Sequence, residues 1–396
     1  MEIASAEDFM GISKAPGSNY VLTADIDFRG VEFNGLFNDG TSSFTGTLDG
    51  QGHSVKNFKL TYTEDENKGL FGKTQNAVIK NIAFTDFVID GGVKGANHVG
   101  LIGQGSATLE EVAVVGKVIG NDHVGLVAGD SDGIVMNNCY AVGTVEAGSQ
   151  AGGFFGCTLE GGAEVTNCLT NVNVNCSTRG WAGGVVGLID KANSTVTVKN
   201  CASIGTMSST GDGTPRVAAP FIAGNGAGDE ALAVINFSNN IYNSTAAHVG
   251  DTEWPTKNLT AEGGDVTEAT AVSPAALQQQ ASYTNIGWDF DNVWSMGQGD
   301  YLYPVLKKVN VTNFSSGVED LVADATANVR VYTNGTEVTV DGFTGAAVVN
   351  IYNVYGATVA AASTAGESVS VNVPAAGVYV VSVVANGQKV FKILVR

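Results

Sequence analysis

Gly153-Phe-Phe-Gly-Cys-Thr-Leu-Glu-Gly-Gly-Ala-Glu-Val-Thr-Asn-Cys168 decides the fold, because both of its ends recur along the chain. The opening phrase returns as Gly69-Leu-Phe-Gly72, Gly100-Leu-Ile-Gly103, Gly125-Leu-Val-Ala128 and Gly184-Val-Val-Gly187. The closing phrase returns as Ile79-Lys-Asn81, Val135-Met-Asn-Asn-Cys139 and Val198-Lys-Asn-Cys201. A third element, Gly116-Lys-Val118, Gly143-Thr-Val145 or Gly205-Thr-Met207, follows in several copies. Each unit of about 28 residues is therefore three short β-like runs punctuated by glycine.

Such a unit cannot bury its own apolar face, but stacked on similar neighbours it can, with each strand pairing in parallel with the coils before and after it. The expected fold is an all-β parallel solenoid. Leu70, Ile102, Val127, Phe155 and Val186 are expected to form inward apolar columns. Asn81, Asn138, Asn167 and Asn200 occupy one recurrent position, as an asparagine ladder at a turn requires. Cys139, Cys168 and Cys201 directly follow three of those asparagines and are expected as an inward column of thiols, not as a bridge. Pro274–Gln280 is the one fair helical stretch.

Composition narrows the function classes. Thirty-nine acids against twenty bases give a net charge of −19, which argues against nucleic acid or an anionic membrane as partner. Fifty-two glycines, nearly double the usual share of about 7%, come with only seven prolines and no Gly-X-Y period, which excludes collagen. No apolar run approaches the roughly 20 residues of a spanning helix. Met1-Glu2-Ile3-Ala4 looks like an initiator methionine placed before a processed chain, compatible with a removed export signal. The five cysteines are odd in number and confined to one stretch, unlike a disulfide scaffold.

These glycine phrases resemble the GLUG repeat of bacterial surface proteins. The lead-in Tyr20-Val-Leu-Thr-Ala-Asp-Ile-Asp27 and Phe44-Thr-Gly-Thr-Leu-Asp-Gly-Gln-Gly-His53 is similar as well, and the resemblance implies a right-handed β-helix over residues 1–308. Gly287-Trp-Asp-Phe-Asp-Asn-Val-Trp294 through Tyr303-Pro-Val-Leu306 resembles the phrase that closes such arrays, so 287–306 is expected to plug the end of the coil. A linker follows at 309–318. From 319 to 396, period-2 strands with regular turns predict a small antiparallel, immunoglobulin-like β-sandwich. Its run Ala375-Ala-Gly-Val-Tyr-Val-Val-Ser-Val383 resembles the sorting domain of the Bacteroidetes type nine secretion pathway. An exported, surface-associated protein of such a bacterium is implied.

Candidate chemistry is sparse. Asp130-Ser-Asp132-Gly133 resembles half of a calcium loop but lacks the later bidentate glutamate. His98 and His123 each precede Val-Gly-Leu and are expected to stack on consecutive coils, as a metal or proton site or, more simply, as an inherited ladder. His53 reads as a turn residue. No nucleophile elbow, Cys–His pair or strand-borne acidic column emerges. Trp181, with Arg179 in the same loop, and Trp254 are the candidate ligand-binding residues, since aromatic faces carry sugar and protein contacts. The expectation is a monomeric, non-enzymatic, extracellular adhesin-like protein holding a glycan or host matrix protein, without a cofactor unless calcium binds. A polysaccharide-degrading β-helix enzyme and a passive stalk are the alternatives.

Overall fold

The computed structural model describes residues 1–63, 66–178, 180–191, 194–211, 213, 216–225, 233–246, 248–250, 269–298, 301–309, 311, 330–334, 337–342, 347–353, 358–366, 368–373, 378–385 and 388–395. Strands account for 58% of it and helices for 6%, and the strands wind into a parallel β-solenoid of about 8 turns. Two compact units divide the chain, Met1–Gly317 and Val318–Arg396. Most of the expected linker, 310 and 312–318, lies outside the described residues.

Three parallel ladders build the coil. One joins Lys68–Thr74 to Val99–Gly105, then Ala128–Ser131, Phe155–Thr158, Val186–Ile189 and Ile222–Asn225. A second runs from Asn19–Leu22 through Thr47–Asp49, Ile134–Asn137 and Ala163–Thr166 to Thr195–Lys199 and Val234–Ser238. The third includes Tyr140–Ala147, Leu169–Cys176 and Ile241–Asn243. Each strand's backbone groups are satisfied by the coils on either side, so regular stacking replaces the hairpins of an antiparallel sheet.

The interior is one continuous apolar cluster, and it corrects the expected column by one residue. Phe71, Ile102, Ala128, Phe155, Val186 and Ile222 are true register partners. Leu70 and Val127 precede two of these and, though equally buried, stand outside that column. Gly125 pairs with Gly152, not with Gly153, so the third glycine phrase carries one residue more between its glycine and the inward partner than Gly100-Leu-Ile102 does.

The asparagine ladder is present. Asn81, Asn138, Asn167, Asn200 and also Asn239 take the left-handed conformation that asparagine tolerates better than most residues. Asn239 Nδ2 donates to Asn200 Oδ1 at 2.8 Å, and Asn200 Nδ2 to Asn167 Oδ1 at 3.1 Å. Glu111 fills the coil between Asn81 and Asn138 with the same positive φ. Beside the ladder, Cys139, Cys168 and Cys201 are buried and unbridged, as are Cys157 and Cys176. Burial holds the thiol of Cys168 well above its ordinary value and pushes that of Cys201 up to about 12. Because the thiolate is the reactive form, an alkylating reagent at neutral pH is expected to modify none of the five in the folded chain and all five in denaturant. Rapid native labelling at Cys168 or Cys201 would contradict the buried column.

The tryptophan-rich closing segment departs from expectation. It does not plug the coil; it runs back along the flank. Two short helices, Pro274–Leu277 and Gln280–Thr284, lead into an antiparallel pair, Trp294–Met296 with Pro304–Leu306. Asn239 Nδ2 donates to Ile286 O, Trp288 Nε1 to Asn200 O at 2.7 Å, and Trp294 Nε1 to Asn138 Oδ1 at 3.4 Å. Lys308 then pairs with Glu111 at 3.1 Å. The strap thus visits successively earlier coils. Beneath it lies an outward apolar column, Ala83, Ala113, Tyr140, Leu169, Ala202 and Ile241, which shares a core with Tyr283, Trp288 and Trp294. An apolar flank of that length needs cover, and the closing phrase supplies it.

Among its described residues, the second unit forms a three-stranded and a four-stranded antiparallel sheet. Val338 and Val340 of the first share a core with Val349, Ile351, Val381 and Val383 of the second, as in a small β-sandwich.

Candidate functional site

Among the described residues, two histidines and a carboxylate come together at one corner of the solenoid. Asn67, His98 and His123 hold equivalent positions on successive coils, each at positive φ. The backbone chain continues to Gln150: Val99 N donates to His123 O and Val124 N to Gln150 O. The imidazoles of His98 and His123 stack with centroids 4.7 Å apart and planes inclined by 16°. The stacking expected from the repeated Val-Gly-Leu context is therefore present.

The repeated phrases carry no hint of what the rings face. Asp130, only 1% exposed, points its carboxylate at both: Oδ1 lies 2.7 Å from His123 Nδ1, and Oδ2 lies 3.2 Å from His98 Nδ1. His98 Nδ1 is also 3.2 Å from Asn67 Oδ1. Asp122 stands on the other side of the second ring, its Oδ2 3.9 Å from His123 Nε2. Burial opposes charge on His123, but the hydrogen bond and charge of Asp130, with the charges of Asp122 and Asp190, outweigh it and hold its pKa above the ordinary value.

A raised pKa means that the folded ring holds its proton more tightly than the unfolded chain does. The resulting stability is complete below about pH 6.5, the ordinary histidine value, and is lost as pH rises through the higher folded value. Thermal unfolding in chelator-treated buffer is expected to show the solenoid less stable at pH 8.5 than at pH 6, and Asp130→Asn is expected to flatten that dependence. An unchanged slope in the variant would assign the effect to other groups.

Asp130 and Asp132 do not form the expected calcium pair. Asp130, within the strand Ala128–Ser131, is buried against the histidines, whereas Asp132, just past the end of that strand, is exposed and accepts from Gly161 N at 2.8 Å. Trp181 lies in the strand Gly180–Gly183, partly buried. Its ring packs across the next coil, where a Cβ on Gly224 would come 2.6 Å from Trp181 Cδ1. Arg179 and Trp254 lie outside the described residues. His53 closes a turn, its N–H donating to Gly50 O at 2.8 Å, and its ring stands 3.4 Å from Asp25.

One concavity escaped the sequence reading. Lys73, Gln75, Asn76, Gln104, Ser106 and Asp132 line an open cleft of about 310 Å³ that crosses neighbouring coils. Ser106 Oγ accepts from Asn76 N at 2.9 Å, and Lys73 Nζ donates to Gly40 O at 3.0 Å. The signal in the sequence was a run of amides and hydroxyls at coil corners, where nothing apolar has to face inward. A second shallow cleft is lined by Asp25, Gln51, Gly52, His53 and Lys308.

Fold and clefts together define a parallel β-solenoid with polar flanks and a buried carboxylate–histidine corner. Among curated proteins, the chain is similar to halomucin of Haloquadratum walsbyi, 33% identical over 162 residues that cover 36% of this chain and 2% of halomucin. The chain therefore spans a small fraction of that relative's length. No family model matches it, and no solved structure does. No helix among the described residues is long and apolar enough to cross a membrane.

Proposed function

We propose that this chain is an extracellular, non-catalytic, adhesin-like protein of the GLUG-repeat type, whose solenoid flank holds an extended polar ligand, a glycan or a matrix protein. The observation that carries the reading is the cleft lined by Lys73, Gln75, Asn76, Gln104, Ser106 and Asp132. Its amides and hydroxyls offer donors and acceptors across neighbouring coils, the pattern that suits a long polar chain rather than a compact apolar molecule. Trp181, partly exposed, is a further contact of that kind. Each of the two clefts contains a single carboxylate, Asp132 or Asp25, where glycoside hydrolysis ordinarily uses two at about 5–9.5 Å. The mucin name of halomucin supports a place outside the cell, and the terminal sandwich serves export or attachment.

The test is binding of the full chain to arrays of glycans and matrix proteins. Saturable binding that weakens at least tenfold on Gln104→Ala with Ser106→Ala is the expected result. A blank array would leave a passive stalk, and new reducing or unsaturated sugar ends on incubation with polysaccharide would establish an enzyme instead.

A further inference from the structure

We propose that His98, His123 and Asp130 form a binding site for a borderline divalent transition metal, of which zinc is the type, at the corner of the solenoid. None of the three is among the residues that line the ligand cleft, although Asp130 is the register partner of Gln104, which does. One donor atom from each of the three residues lies within 4.8 Å of the others. Two imidazole nitrogens and a carboxylate are a donor set of the kind that zinc takes in proteins, whereas calcium and magnesium prefer oxygen shells of six or more.

The separations nearly suit an ion as they stand. With bonds of about 2.0–2.1 Å, tetrahedral ligand atoms sit roughly 3.3 Å apart. His98 Nδ1 and Asp130 Oδ2 are already 3.2 Å apart, while His123 Nδ1 and Asp130 Oδ1, at 2.7 Å, are drawn together by the proton that an ion would replace. The rings, 4.7 Å apart, must tip towards each other, and their position at the corner leaves them 15–21% exposed and able to do so. Asn67 Oδ1, 3.2 Å from His98 Nδ1, stands as a fourth donor one coil earlier.

A second observation points to a cation. Asp130 Oδ2 is buried and makes no aligned hydrogen bond, although a buried carboxylate oxygen ordinarily has a partner. Gln150 Oε1, on the coil after His123, is likewise buried and without one. An unsatisfied buried carboxylate oxygen thus faces a pair of stacked rings, an arrangement that a simple ladder leaves unexplained. With the ion on Nδ1, each ring carries its proton on Nε2. For His123, Asp122 Oδ2 lies 3.9 Å from Nε2, longer than a hydrogen bond, and tipping of the ring would bring that proton to the carboxylate, the relation that orients metal-binding imidazoles.

The experiment titrates the chelator-treated full chain with cobalt(II) and then with zinc(II). Expected are one cobalt per chain, visible bands of the intensity that four-coordinate cobalt gives, and their loss as zinc displaces it. His98→Asn and His123→Asn should each weaken binding tenfold or more while leaving the metal-free fold intact, since Asn67 already occupies the equivalent backbone conformation. Asp130→Asn should do the same. Absence of stoichiometric binding by the wild-type chain would overturn the site. So would binding that survives the His98→Asn, His123→Asn double variant, or a cobalt–thiolate band, which would place the ion on a cysteine.

Discussion

Replacing Trp294 with alanine is expected to destabilise the solenoid by about 3–5 kcal/mol, the range for emptying a large buried aromatic site. Trp294 is fully buried, stacks on Trp288 with centroids 4.3 Å apart, and contacts Tyr140 of the coil at 6.3 Å. Its indole N–H donates to Asn138 Oδ1, so the substitution also strips a partner from the asparagine ladder. The loss should not stay local. Tyr140, Leu169 and Ala202 face outward beneath the strap, and their stacked apolar flank would be exposed once it lifted. Urea unfolding should report the destabilisation, and hydrogen exchange should accelerate along Tyr140–Ala147 and Leu169–Cys176. Trp181→Ala, which removes a ring only partly buried, should cost much less, about 1 kcal/mol. A Trp294→Ala change below about 1 kcal/mol would show that the strap adds little to the solenoid.

Much of this architecture is legible in the sequence. Period, strand content, the asparagine positions and the inward thiols all follow from recurring phrases, because a solenoid must place equivalent residues in equivalent environments. What misled was geometry that repetition does not encode. A one-residue difference around Gly125–Ala128 slips the register by one column, and a single extra residue is invisible in a motif of four. The strap was misplaced because tryptophans near the end of an array suit a plug and a flank cover equally well. Yet a signal was present: Cys139-Tyr140, Cys168-Leu169 and Cys201-Ala202 are adjacent apolar pairs, and in a strand neighbours point to opposite faces. Both faces of that wall therefore had to be covered. At the corner site, the stacked histidines could be read from their shared context. Asp130 could not, since it comes from the neighbouring strand of the same coil and belongs to no repeated phrase.

Gly143→Val is expected to be the most damaging single change in the wall beneath the strap, beyond about 4 kcal/mol, where point substitutions become exceptional. Gly143 sits at φ +146, and a Cβ there would lie 1.9 Å from Gly116 O. That oxygen belongs to the neighbouring coil's backbone and cannot swing away as a side chain would. The two glycines are adjacent in their column, with a bulky residue on either side: Phe87 pairs with Gly116, Gly116 with Gly143, and Gly143 with Val172. The ring of Phe87 lies over Gly116, where a Cβ would meet Cδ1 at 2.7 Å, and stacks on Phe58 with centroids 4.8 Å apart. Widening the spacing at Gly143 would break register partners on both sides at once, since the strand Tyr140–Ala147 is pinned by a neighbour on each side. The expected result is a chain that loses its cooperative unfolding transition or is recovered only as aggregate. Gly11→Ala, where φ is −64 and a Cβ would meet nothing within 4 Å, is the control and should stay within about 1 kcal/mol of wild type. A soluble Gly143→Val chain with an unaltered urea midpoint would show that neighbouring coils slide apart more easily than their shared hydrogen bonds imply.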